Sequence, residues 1–218
     1  MRIAILGGTG KMGEGLACRW AHHHEIYIGS RDKEKAEKVA NDYVQKLAEH
    51  NIKCHVSGID NKTATEKADI VVLAVPYDVA IDLIKCLQPV LKDQIVVSIV
   101  VPMKKAKRFE YTPPDCGCGA LYIKNIISNP KIKIVSAYHN ISYNKLSNID
   151  LNIEGDVIVC SDDTDAKQIV MDLTQEIHNL RPLDGGSLCE SCTVESLTPF
   201  LINIANRNGL SDICLKLI

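Results

Sequence analysis

The sequence has little that would direct it to a membrane, a nucleic acid or an oxidising compartment. No apolar run approaches the roughly 18 residues that a membrane helix needs. Neither half is strongly basic, and the formal net charge is −2, which argues against nucleic acid as a partner. Aromatic residues make up only 5% of the chain, so Ile, Val and Leu must fill the core. The first strand is expected to start at Arg2, which leaves no room for a signal peptide. Internal repeats and low-complexity stretches are lacking too. Cysteine is not scarce, but nine is an odd count, spread over expected strands, helices and loops. That pattern does not suit a disulfide framework, and a reducing cytoplasm is the expected location.

What is present is an ordinary globular chain of 218 residues with 46% apolar content. A chain of this size buries about 70% of its unfolded surface, so it folds without staples. The apolar run Ile3-Ala4-Ile5-Leu6 stops at four glycines in seven positions, Gly7-Gly8-Thr9-Gly10-Lys11-Met12-Gly13, and helical spacing follows. Strands are expected at Arg2–Leu6, Glu25–Gly29, Cys54–Ser57, Asp69–Val75, Gln94–Val101 and Lys133–Tyr138, with helices between them. Residues 103–117 are expected to be a loop, and the pattern turns irregular beyond Ser142. A last strand-helix-strand unit spans Asp156–Leu183, and a final helix carries Pro199, where it should kink.

Strands alternating with helices imply an α/β fold with a doubly wound, mostly parallel sheet. Ligands then bind at the carboxyl ends of the strands, near the switch in strand order. Five segments should converge there: Gly7–Met12, Ser30–Arg31, Ala74–Tyr77, Val101–Pro102 and Ala137–Asn140.

The glycines allow two frames, G-x-G-x-x-G from Gly8 and G-x-x-G-x-x-G through Gly7, Gly10 and Gly13. The second is preferred because the apolar run stops at Leu6. In either frame Gly10 lets backbone approach a diphosphate and Gly13 lets the helix sit close to the strand. The N–H groups at the helix start would face that diphosphate. Where an NAD site wants a carboxylate, the second strand ends Gly29-Ser30-Arg31. Ser30, Arg31 and Lys35 suit the 2′-phosphate of NADP. Asp32 is the competing NAD candidate, but it stands where a helix N-cap belongs.

These segments, together with Val135-Ser136-Ala137 and His139, Leu180-Arg181-Pro182-Leu183-Asp184 and Val194-Glu195-Ser196-Leu197-Thr198-Pro199, resemble the coenzyme F420-dependent NADP reductases along essentially the whole chain. The resemblance implies a Rossmann-type NADP-binding domain over 1–142 and a small C-terminal domain over 143–218 that completes the deazaflavin site. It also implies a homodimer, and hydride exchange between the 5-deazaflavin of F420 and NADP. By the same resemblance Thr9, Gly10, Lys11 and Met12 lie along the diphosphate, in the turn that Gly7 and Gly13 shape. Ser30, Arg31 and Lys35 hold the 2′-phosphate, and Ala74, Val75, Pro76, Val101 and Ala137 border the rings. His139, Ser196 and Thr198 lie near the deazaflavin. Cys192 departs from the pattern, standing where relatives carry arginine.

Blander readings compete at several places. His139 could simply cap the sixth strand. Cys116-x-Cys118 with Cys189-x-x-Cys192 has a poor spacing for zinc, so no metal is expected. His22-His23-His24 suits an exposed loop. The basic stretch Lys104, Lys105, Lys107, Arg108 could attract an anionic coenzyme tail, but a solvated charge run is the commoner outcome. A reductase of small imines or acids would need a long helical domain after Leu183, for which too little chain remains. A non-catalytic NADP-binding sensor lacks any basic appendix.

Overall fold

A computed structural model describes all residues, 1–218. Six parallel strands form the main sheet: β1 (Arg2–Leu6), β2 (Glu25–Ser30), β3 (His55–Asp60), β4 (Ile70–Leu73), β5 (Ile95–Ser98) and β8 (Lys133–Ser136). Their spatial order is β3-β2-β1-β4-β5-β8, so the order reverses between β1 and β4. This is the doubly wound arrangement expected from the alternation of strand and helix. Ile3 to Leu6 and Ile70 to Leu73 are almost wholly buried, because the two central strands are covered on both faces.

The connecting helices bury the faces their spacing predicts. Helix α1 (Lys11–Trp20) turns Leu16, Ala17 and Trp20 inward, and α2 (Lys33–Glu49) turns in Ala36, Ala40, Tyr43 and Leu47. Asp32 N-caps α2, its side chain accepting from the Lys35 N–H at 3.0 Å. Helices α3 (Asn61–Lys67), α4 (Tyr77–Leu87) and α5 (Gly119–Ile126) complete the crossovers.

Three of the expected strands are shorter than their apolar runs. Asp69–Val75, Gln94–Val101 and Lys133–Tyr138 keep only four paired residues each, β4, β5 and β8. The apolar residues beyond each strand end leave the ladder to line a cleft, so apolarity continues where pairing stops. Residues 103–117 are not loop throughout. Met103–Lys105 (β6) and Phe109–Tyr111 (β7) pair as a short antiparallel hairpin. It is held by Asn203, whose side-chain amide accepts from the Phe109 N–H at 2.9 Å and donates to the Phe109 carbonyl at 2.7 Å. That clasp comes from a residue 94 positions away, beyond the reach of any local pattern.

The irregular stretch after Ser142 contains a short helix, α6 (Tyr143–Ser147), packed on α1. Arg19 organises it by donating to the carbonyls of Leu146, Asn148 and Leu151. The last β-α-β unit, β9 (Gly155–Val159), α7 (Thr164–Gln175) and β10 (Leu180–Asp184), makes a two-stranded parallel sheet. A single antiparallel bridge, Ser136 to Cys160, joins it to β8. One apolar cluster runs from Ile3 and Trp20 through Tyr138 to Val170 and Leu180, so this unit shares the core of the main sheet. Helix α8 (Ser191–Asn208) continues across Pro199 and ends at Gly209, whose φ of 61° is left-handed. No helix is long and apolar enough to cross a membrane.

Candidate active site

The glycine turn follows the frame through Gly7. Strand β1 ends at Leu6 and Gly7 takes a φ of 87°, which suits glycine alone at low cost. A Cβ there would lie 2.5 Å from the Ala74 carbonyl oxygen, because the turn crosses directly over the exit of β4. A Cβ on Gly13 would come within 2.5 Å of the Gly8 Cα, so the close approach of helix to turn is real. Gly10 is different. The nearest atom to a Cβ there is the Gly7 carbonyl oxygen at 3.5 Å, so the protein itself leaves that space open. Gly10 is also the N-cap of α1 and provides no side-chain cap. The N–H groups of Thr9, Lys11, Met12 and Gly13 have no acceptor within the chain. Four free donors, the positive end of a helix and a space that a side chain would fill make a cradle for a diphosphate.

At the end of β2, Ser30 is half-buried while Arg31 and Lys35 are exposed and pair with no carboxylate. The Asp32 N–H donates to the Ser30 hydroxyl at 3.2 Å. The Asp32 carboxylate is engaged as the cap of α2, and Arg31 and Lys35 remain free cations at this end. Asn61 adds an oxygen with no partner, buried beside Gly29. Its position at the start of α3 gave it no distinguishing sequence signal.

A cleft of about 490 Å³ opens over the carboxyl ends of β4, β5 and β8. Its size and apolar walls suit a ring system. Met12, Val75, Pro76, Val101, His139 and Thr198 line it, so four of the five expected segments meet there. Ser30–Arg31 lies outside, at the far end of the strand edge. Ala74 sits under the glycine turn, and Ala137 is fully buried in the core rather than on the cleft surface. Ser196 is not among the lining residues, and its hydroxyl donates to the Thr193 carbonyl of its own helix at 2.6 Å.

His139 is 5% exposed, and neither ring nitrogen has a hydrogen-bond partner. Burial pushes its pKa down to about 4, offset only in part by the nearby Val100 carbonyl, which falls short of hydrogen-bond geometry with the ring. The imidazole is therefore neutral near pH 7, with one N–H to donate and one lone pair to accept. The Thr198 hydroxyl donates to the His139 carbonyl at 2.6 Å, joining α8 to this wall. Next to it, Asn140 donates to the Asp156 carbonyl and leaves its own side-chain oxygen without a partner. Tyr138, just before His139, has a φ of 65° although it is aromatic. Left-handed backbone at such a residue costs about 1–3 kcal/mol and persists only where the surroundings enforce it.

Sequence reasoning missed one wall entirely. Leu210, Ser211, Asp212 and Ile213, after α8, close the side of the cleft. Asp212 latches this tail by accepting from Ser142 at 2.9 Å and Asn144 at 2.8 Å. Short and aperiodic, the tail carries no pattern that would have flagged it.

Glu195 is fully buried behind the site and caps α5. It accepts from the Gly119 N–H at 2.8 Å, the Ala120 N–H at 2.9 Å and the Tyr111 hydroxyl at 3.2 Å. It thus ties the hairpin, α5 and α8 together, a structural part rather than a helix-surface carboxylate. Glu195→Ala orphans two buried donors and should cost about 3 kcal/mol. Thermal unfolding should then fall by roughly 6–12 °C. Burial holds the Glu195 pKa above its ordinary value. Its contribution is thus complete below the unfolded carboxylate pKa and declines as pH rises through the folded one, so the deficit should be larger at pH 4 than at pH 8. An equal deficit at both would contradict this. Cys118 and Cys192 lie side by side near Glu195, but no three His, Cys, Asp or Glu side chains converge to hold a metal.

Comparison with known proteins finds relatives along nearly the whole chain. A family model described as NADP oxidoreductase, coenzyme F420-dependent, matches residues 2–102. The chain is 40% identical over 208 residues to the F420-dependent NADP reductase of Methanocaldococcus jannaschii, covering 94% of this chain and 92% of that one. It is 31% identical over 216 residues to the F420-dependent NADP reductase of Methanothermobacter thermautotrophicus, covering 97% and 92%. A crystal structure from Arthrobacter, provisionally described as an F420 dependent NADP-reductase, superposes with a TM-score of 0.83 at 24% identity. It covers 100% of this chain and 99% of that one, and it speaks for the fold.

Proposed function

The chain belongs to the coenzyme F420-dependent NADP oxidoreductase family and transfers a hydride between coenzyme F420 and NADP(H), and on that premise we propose which residues do the work. One observation carries the assignment. His139, a buried imidazole whose two ring nitrogens have no hydrogen-bond partner, lines an apolar cleft, and Met12 and Val75 link that cleft to the glycine turn.

The free N–H groups of Thr9, Lys11, Met12 and Gly13 bind the NADP diphosphate, with Gly7 shaping the turn and Gly10 leaving the space. Ser30, Arg31 and Lys35 hold the 2′-phosphate. Val75, Pro76 and Val101 border the nicotinamide and deazaflavin, with Ala74 and Ala137 as small supports behind them. Bound together, the two rings exchange a hydride, which requires close approach and exclusion of water but no covalent catalysis. Positioning is therefore the main task of the protein. His139, neutral and dry, offers one N–H and one lone pair to the polar edge of the deazaflavin, where a proton is gained or lost. Thr198 fixes the backbone of His139. Ser196, on the same helix, reaches the site only if its hydroxyl leaves the Thr193 carbonyl.

In this reading residues 1–142 hold NADP, and 143–218 complete the deazaflavin site. Phe200, 59% exposed on α8, provides an apolar contact for a homodimer. All nine cysteines are free, which suits the cytoplasm. The imine-reductase alternative is not favoured, since the family model and the curated relatives are F420-dependent NADP reductases.

The test is spectroscopic. Mixing the protein with NADPH and F420 should bleach the visible absorbance of the deazaflavin. Intact NADPH binding with no bleaching would overturn the assignment of the second substrate.

A further inference from the structure

Four non-glycine residues have positive φ: Asn51, Tyr138, Asn179 and Asp212. Asparagine and aspartate tolerate this region, because a short polar side chain bonds locally. Tyr138 has no such excuse. Its side chain is fully buried, and the hydroxyl meets the Thr174 hydroxyl at 2.7 Å. Its ring lies edge-on to Trp20, with centroids 5.8 Å apart and planes 72° apart. Trp20 is fixed in turn, its indole N–H donating to the Leu173 carbonyl at 2.9 Å. Thr174 also donates to the Val170 carbonyl at 2.8 Å, so the anchor for Tyr138 is an internal face of α7.

The next two residues are tied to other elements. His139 is held through its carbonyl by Thr198 of α8, and Asn140 through its amide by the Asp156 carbonyl of β9. Three consecutive residues are thus pinned to α7, α8 and β9. Within that pinned turn the His139 imidazole alone has both polar atoms free, and it sits in the cleft wall. A strand continued without the turn would alternate its side chains and change the direction of His139.

We propose that Tyr138 is a positioning residue, holding the left-handed turn that aims the His139 ring at the second substrate. The inference rests on the reading of His139 given above. The anchoring bond to Thr174 keeps the imidazole dry and unpartnered until a ligand edge arrives.

Tyr138→Phe keeps the ring packing and removes only the hydroxyl, and Thr174→Val removes the same bond from the other side. With the full chain, each should raise KM for F420 or lower kcat by about tenfold, a typical cost of slight misplacement. KM for NADPH should stay within about twofold, since the diphosphate and 2′-phosphate contacts are untouched. The double variant should be no worse than either single one, because both delete one bond. Followed by NMR, the His139 imidazole of Tyr138→Phe should titrate closer to the ordinary histidine range than in the parent. A lowered melting temperature with unchanged kcat and both KM values would overturn the proposal and leave Tyr138 a core residue. So would additive losses in the double variant or an unmoved imidazole titration. Should the parent itself fail to bleach F420, the assignment of substrate fails first, and the imidazole titration still decides whether Tyr138 sets the environment of His139.

Discussion

Gly10→Val is expected to keep the protein folded and to weaken NADPH binding by at least about 100-fold, the scale reached when a bound group is displaced by an ångström. The backbone of Gly10 has φ −96° and ψ 164°, an extended conformation any residue adopts. Within the protein a Cβ there meets nothing nearer than 3.5 Å. Removing glycine also limits the unfolded chain, which offsets the weaker N-cap, so the melting temperature should move by only a few degrees. The branched side chain instead projects into the space beside the free N–H groups of α1. Gly13→Val, by contrast, should unfold or severely destabilise the chain, because its Cβ meets the backbone of Gly8 at 2.5 Å. Paired melting curves and NADPH titrations separate the two glycines. A Gly10→Val protein that binds NADPH like the parent would refute the diphosphate cradle.

Arg31→Asp should lower kcat/KM for NADPH on the order of 100-fold while changing that for NADH far less, so that preference moves toward NADH. The estimate follows from a charge-assisted hydrogen bond worth about 1.5–3 kcal/mol, with repulsion from the new carboxylate added. Arg31 is exposed and has no carboxylate partner, so its loss breaks nothing in the fold. Asp32 cannot compensate, since it is engaged as the cap of α2. Raising the salt concentration should weaken NADPH binding in the parent more than in the variant, because screening acts on the exposed cations. An unchanged ratio of NADPH to NADH efficiency would refute the roles of Ser30 and Arg31.

Much of the site was legible because its signals are local. The strand before Gly7, the helix after Gly13 and the end of β2 each depend on a few neighbouring residues. The parallel, doubly wound sheet followed from alternation and from the handedness of crossovers. The cap role of Asp32 was legible for the same reason, as it acts three residues downstream. The hairpin at Met103–Tyr111 was not, because the short strands are mostly charged or polar and are held by Asn203. Nor was the burial of Glu195, whose partners Gly119 and Ala120 are 76 and 75 residues away. Ser196 shows the converse limit. A motif can bring a residue near a site, but only the local geometry decides where its hydroxyl is spent.

By itself the sequence determined the doubly wound sheet, the glycine turn after β1 and the exposed cations after β2. All three depend on periodicity and on residue chemistry within one or two elements. Only the tertiary structure decided what lines the cleft. Tyr138 takes its left-handed turn because Thr174 and Trp20 hold it, and the tail at Leu210–Ile213 becomes a wall because Ser142 and Asn144 latch Asp212. Those contacts join residues 36 to 118 positions apart or are absent from any local pattern, and their energies exist only once the core has formed.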